Sequence, residues 1–226
     1  MKSWKPTPSR KRKPTRQALL RIYRALHKQY GDRHWWPAET PFEVMVGAVL
    51  TQNTAWRNVE KAIVNLKENR QLSPKALRKI PRKKLAALIR PAGYFNVKAK
   101  RLKSLVDFFW KRFGASPPRM QRIPKNRLRQ ELLEVNGVGE ETADSILLYA
   151  AGKPSFVVDA YTRRLLGRHG FIRGDETYAE IQKTFESNLP ESVPLYNDFH
   201  AQIVEVGKDF CRTVARCEAC PLKRFL

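Results

Sequence analysis

The stretch with the clearest capacity for chemistry is Leu133-Glu134-Val135-Asn136-Gly137-Val138-Gly139-Glu140-Glu141-Thr142-Ala143, in which two glycines bracket one apolar residue between two helix-like segments. Glycine permits a tight turn whose backbone amides face outward, and the amides that open the following helix add the positive end of a dipole. A phosphate can therefore approach closely and be held without any base being read. Gly137, Val138, Gly139 and Thr142 are the candidate phosphate-binding residues, although an ordinary turn between two core helices would use the same residue types. Further along, Asp159 follows the apolar, extended Phe156-Val157-Val158 and has the type and place of a helix N-cap. Near the end, Cys211, Cys217 and Cys220 follow a CxxxxxCxxC pattern. Cysteines gathered so tightly suit a local site in a reducing compartment better than a disulfide framework.

The chain that carries these residues has 226 amino acids, 42% of them hydrophobic, enough for one large domain or two small helical lobes. Lysine and arginine number 44 against 21 acidic residues, a formal charge of +23, which favours a polyanionic partner. Charge alone leaves a merely basic protein as the alternative. Lys2, Lys5, Arg10, Lys11, Arg12, Lys13 and Arg16 stand among prolines with no acidic residue, so residues 1–16 are expected to be a disordered arm adding sequence-independent phosphate attraction. No apolar run approaches the roughly 18 residues needed to span a bilayer, and no secretory signal opens the chain. The expectation is a cytoplasmic, nucleoid-associated monomer with no membrane partner.

Helical periodicity dominates the elements that must position the site. Leu19, Leu20, Ile22, Tyr23 and Leu26 predict a helix from Arg16 to Tyr30, ending near Gly31. Pro41 precedes the nearly all-apolar run Phe42 to Leu50, read as a buried central helix, with strand as the competing assignment because of its β-branched residues. Pro74 and Pro81 each open a short basic helix, and Lys98 to Phe113 makes a longer one with lysine and arginine on its outer face. Arg127 to Val135 and Thr142 to Ala151 flank the glycine turn, and Tyr161 to His169 closes at Gly170. The fold class is all-α, two lobes with a cleft near Gly137 and Asp159. Residues 17–210 form the helical domain and 211–226 a cysteine loop.

The hairpin, followed by Gly152, Pro154 and Val157-Val158-Asp159, resembles the endonuclease III superfamily of helix-hairpin-helix DNA glycosylases. The resemblance extends from Gly47-Ala48-Val49-Leu50-Thr51-Gln52-Asn53-Thr54 through Arg90-Pro91-Ala92-Gly93-Tyr94 and Lys98-Ala99 to the cysteines, and so covers most of the chain. It implies double-stranded DNA containing a damaged base as partner and Asp159 as the catalytic carboxylate. Cleavage of an N-glycosidic bond leaves positive charge on the deoxyribose, which a carboxylate near C1′ would stabilise while orienting water. Lyase members of the family carry a lysine two residues past the second hairpin glycine; here that position is Glu141, which cannot form an imine, so an intact abasic site is the expected product.

Trp35-Trp36-Pro37 and Leu50-Thr51-Gln52-Asn53-Thr54 are similar to the 3-methyladenine DNA glycosylase III type. A base alkylated on a ring nitrogen is cationic, leaves easily and stacks well on indoles, so Trp35 and Trp36 are candidate pocket walls, with core packing as the alternative. Gln52 is a candidate to fill the gap left by an extruded nucleotide, or else a polar contact of the central helix. The resemblance also implies a [4Fe-4S] cluster at the cysteine loop, but the fourth ligand position is Leu226, so a bound cluster, zinc and no metal all stay open, with His200 read as a packing or hydrogen-bonding residue rather than the missing ligand. Two other functions remain: a bifunctional glycosylase and AP lyase on oxidised pyrimidines, and a non-catalytic DNA-binding module.

Overall fold

A computed structural model describes residues 14–225, and among them the chain is helical throughout with no strand. The expected basic arm lies mostly in residues 1–13, outside the described part, and Arg16 already belongs to the first helix. The chain divides into two compact units, Ala38–Lys153 and a second that joins the segment up to Pro37 with Pro154–Leu226.

The first unit is built around α2 (Pro41–Leu50), in which every residue from Phe42 to Leu50 is buried. Such a run could equally have been a central strand. Thr40 decides for helix, because its hydroxyl accepts from the Glu43 amide at 3.1 Å while Pro41 supplies a pre-set first turn. With no polar face, α2 must be covered on all sides. α3 (Trp56–Glu68), α6 (Phe95–Phe113), α9 (Glu140–Ser145) and the π-helical turn Ile146–Ala150 that continues it supply the cover, while the short helices α4 (Pro74–Lys79), α5 (Arg82–Leu88) and α7 (Pro117–Gln121) pack against α6. Each large side chain so buried contributes about 1.5–3 kcal/mol.

One residue of α6 departs from the expected basic outer face. Lys98 is 1% exposed, and its ammonium donates to the Leu50 carbonyl at 2.8 Å and the Ala92 carbonyl at 2.7 Å. It thus serves carbonyls left open where α2 ends and where the turn Arg90–Ala92 meets α6. Burial, reinforced by the Arg101 charge, pushes its pKa down to about 8.

The second unit packs α1 (Arg16–Tyr30) and α10 (Ala160–Arg168) against α12 (Val193–Asp209). Phe156 stacks on Phe185 of α11 (Tyr178–Glu186) at 3.8 Å between centroids, and Tyr196 and Phe199 meet the pair edge-on. Asp198 ties α1 to α12 by accepting from Tyr23 at 2.9 Å and lying 2.9 Å from His27. Gly207 sets how closely α10 and α12 approach: a Cβ there would fall 2.2 Å from the Tyr161 ring.

Candidate active site

Asp159 is delivered by an extended strap, not by a helix. Phe156, Val157 and Val158 are buried, and their backbone is pinned by side chains of α11: the Phe156 amide donates to Glu186 at 2.9 Å and Gln182 donates to the Phe156 carbonyl at 2.9 Å. Asp159 then caps α10 as expected. Its Oδ1 accepts from the Thr162 amide at 2.7 Å and the Thr162 hydroxyl at 2.9 Å. The other oxygen, Oδ2, faces Nε2 of His200 at 3.6 Å. Burial alone would raise this carboxyl, but the neighbouring His200 imidazole and the two Thr162 donors outweigh it and hold Asp159 below the usual carboxylate value. The site therefore keeps an ionised carboxylate inside a largely apolar setting, which is what stabilising a nearby positive charge requires.

The hairpin lies in the other unit. α8 (Lys125–Leu133) and α9 are joined by the glycine turn, and the two glycines do different work. Gly137 has φ +87°, and a Cβ on it would fall 2.1 Å from the Arg101 side chain. Gly139 is extended at φ −97°, and a Cβ added to it would meet nothing within 4 Å, so its value is an open approach to the backbone. Val138 anchors the turn by burying its side chain. Gln52 reaches into this turn: its Nε2 donates to the Gly137 carbonyl at 3.0 Å and to the Thr142 hydroxyl at 2.9 Å, while Arg101 donates to its Oε1. Thr142 is itself buried, so what it offers outward is backbone at the helix start. Glu141, at the lyase position, is exposed on the first turn of α9.

Trp35 and Trp36 belong to the unit that holds Asp159. Their rings are 5.6 Å apart at 55°, and the Lys208 ammonium stands 5.5 Å from the Trp35 centroid while pairing with Glu205 at 3.0 Å. One indole face is thus already occupied by a cation.

The cysteine loop folds onto α10 and the end of α12. Cys211, Cys217 and Cys220 line one recess of about 340 Å³, counting its open mouth, with Leu165, Val206 and Leu222 as apolar walls. Burial, helped by the two neighbouring thiols, pushes the Cys220 thiol up. Arg168 donates to Cys211 Sγ at 3.2 Å and to the Thr213 carbonyl at 2.8 Å, so arginine from α10 holds the loop. Among the described residues no three cysteine, histidine or acidic side chains are grouped to hold a metal ion, and Leu226 lies outside them. The donor set is one thiolate short of a four-cysteine cluster and does not fit it. His200 sits against Asp159 rather than in this recess.

Sequence reasoning missed four side chains that shape these sites: His200 beside Asp159, Arg101 under Gly137, Lys98 at the end of α2, and Arg129, which grips Asp144 of α9 through two bonds of 2.9 and 3.0 Å. None carries a local signal, because each pairs with a residue distant in sequence. Among the described residues no helix is long and apolar enough to cross a membrane.

Comparison with known proteins places this geometry. The model of the HhH-GPD superfamily base excision DNA repair protein matches residues 46–191. A Methanocaldococcus jannaschii protein that carries the name of a DNA repair glycosylase is 50% identical over 211 residues, 92% of this chain and 96% of its own. A solved H. pylori 3-methyladenine DNA glycosylase bound to 1,N6-ethenoadenine is 33% identical, with a TM-score of 0.74 over 84% of this chain and 97% of that one. A trapped covalent intermediate of endonuclease III with DNA aligns at 25% identity and a TM-score of 0.80, covering 93% and 95% of the two chains. The matched span takes in the hairpin, the strap and Asp159, and the chain belongs to the HhH-GPD superfamily of base excision DNA repair proteins.

Proposed function

We propose that this protein is a monofunctional DNA N-glycosylase that hydrolyses the bond between deoxyribose and an extruded, alkylated purine, leaving an intact abasic site. The observation that carries the reading is the Asp159 carboxylate, held ionised with one oxygen committed to Thr162 and the other facing the His200 imidazole at 3.6 Å. As the glycosidic bond breaks, its electron pair leaves with the base and positive charge grows on the sugar. Asp159 stabilises that charge, orients the water that attacks C1′ and takes up the proton that the water loses, passing it to solvent. A base that already carries positive charge departs without protonation, so no separate general acid is needed.

The hairpin amides at Gly137 to Gly139 hold the backbone of a double-stranded substrate, and the protein acts as a monomer. Trp35 and Trp36 wall the base pocket, supported by the likeness to the 3-methyladenine enzyme; Lys208 must then leave the Trp35 face when a cationic ring arrives. Glu141 in place of a lysine supports hydrolysis without strand cleavage. The cysteine loop takes no part in this chemistry.

Duplexes bearing one lesion each (3-methyladenine, 7-methylguanine, hypoxanthine, an oxidised pyrimidine or mismatched thymine) test the reading under single-turnover conditions. Release of an alkylpurine, strand breakage only after alkali, and no borohydride-trapped adduct are expected. Breakage without alkali would establish a lyase instead, and native excision by Asp159→Asn would remove the catalytic assignment.

A further inference from the structure

The middle of α12 holds a polar ring where apolar packing would serve. His200 is 4% exposed, with Phe199, Ala201, Ile203 and Val204 buried around it on the same helix. Keeping an imidazole in such a place carries a desolvation cost that a pure packing role does not repay, whereas a phenylalanine would fill the volume without it. The ring meets the one carboxylate assigned to chemistry, with Nε2 3.6 Å from Asp159 Oδ2. That distance exceeds the roughly 2.7–3.2 Å of a full hydrogen bond, and contacts of this kind commonly tighten once substrate is bound.

The surroundings fix the pair from both sides. The first turn of α10 clamps Oδ1 through Thr162, and the Tyr161–Gly207 contact sets the spacing of α10 from α12 and hence of the carboxylate from the imidazole. We propose that His200 is a positioning residue for Asp159: its Nε2–H holds Oδ2, so that with Oδ1 tied to Thr162 the carboxylate plane is locked towards the sugar. The role rests on Asp159 being the catalytic carboxylate. The depressed Asp159 carboxyl, to which the imidazole contributes, agrees with it.

The test compares His200→Phe, which keeps the volume and removes the donor, with His200→Gln, which keeps an N–H donor, in single-turnover excision from an alkylated duplex and in binding to the same duplex. His200→Phe should lose about tenfold to a hundredfold in rate with its DNA Kd within about twofold of native, and His200→Gln should regain most of the loss. Added to Asp159→Asn, His200→Phe should cost nothing further, because both act through one carboxylate. Native excision by His200→Phe, or a loss that multiplies with that of Asp159→Asn, overturns the positioning role while leaving Asp159 as the catalyst. Native excision by Asp159→Asn alone overturns both.

Discussion

Asp144, buried within α9, and Asp159, the largely covered N-cap of α10, lie one in each unit, and they are satisfied in opposite ways. Asp144 is 0% exposed, and both its oxygens are taken by the planar fork of Arg129 at 2.9 and 3.0 Å. Its charge is neutralised and its geometry closed. Asp159 keeps 13% of its side chain open, spends one oxygen on a helix cap, and sets the other against an imidazole rather than a guanidinium. A carboxylate paired with arginine holds a fold together. One that faces a single imidazole on its second oxygen, with no guanidinium fork closing it, keeps that oxygen able to act on something else, and this contrast supports Asp159 as the proposed catalyst better than burial does.

Breaking each aspartate in turn should separate the two roles. Asp159→Asn should lower single-turnover excision by about a thousandfold while barely moving the melting temperature, since asparagine caps helices as well as aspartate does. Arg129→Met should do the reverse, destabilising the protein by about 3–5 kcal/mol in chemical denaturation because it removes the two-pronged guanidinium partner of a buried carboxylate, with near-native excision per folded molecule.

The hairpin sharpens the comparison from the binding side. Gly137→Ala should weaken DNA binding about tenfold, since its φ of +87° and the Arg101 side chain both oppose a Cβ, and the loss should appear equally on damaged and undamaged duplex. Gly139→Ala meets neither obstacle, so its effect should be confined to DNA affinity, with an unchanged melting temperature.

The smallest effect is in pH. Asp159 is depressed below its ordinary 3.8, so the stability it confers is fully present above that value and is lost as pH falls through the lower folded value. The small stability difference between native protein and Asp159→Asn, the part owed to the carboxylate's charge and not to capping, should therefore stay constant down to about pH 4 and shrink only below it. A difference that declines between neutrality and pH 4 would show that the His200 and Thr162 contacts do not outweigh burial.

Much of this was readable in the chain because it depends on neighbours in sequence. The periodicity of α1, the glycine turn, and Asp159 as an N-cap all rest on residues within a few positions of one another. α2 was ambiguous for a physical reason: a helix buried on every face loses its polar stripe, and only Thr40 and Pro41 mark it as a helix. The basic face assigned to α6 fails at Lys98, because a buried lysine is recognisable only once the carbonyls of the distant Leu50 and the nearer Ala92 are seen to need it. The two hairpin glycines look equivalent as letters, yet only Gly137 occupies the left-handed region. His200 was legible as buried but not as Asp159's neighbour, since the two are far apart in the chain and no periodic pattern spans that gap.

The contact between Gly207 and Tyr161 has a consequence for genetics. A residue with no side chain, two helical turns from His200, governs whether α12 can approach α10 at all. In a random screen for repair-deficient alleles, Gly207 should therefore score alongside the residues that touch DNA, and a second change shrinking Tyr161 should restore the phenotype of some of those alleles.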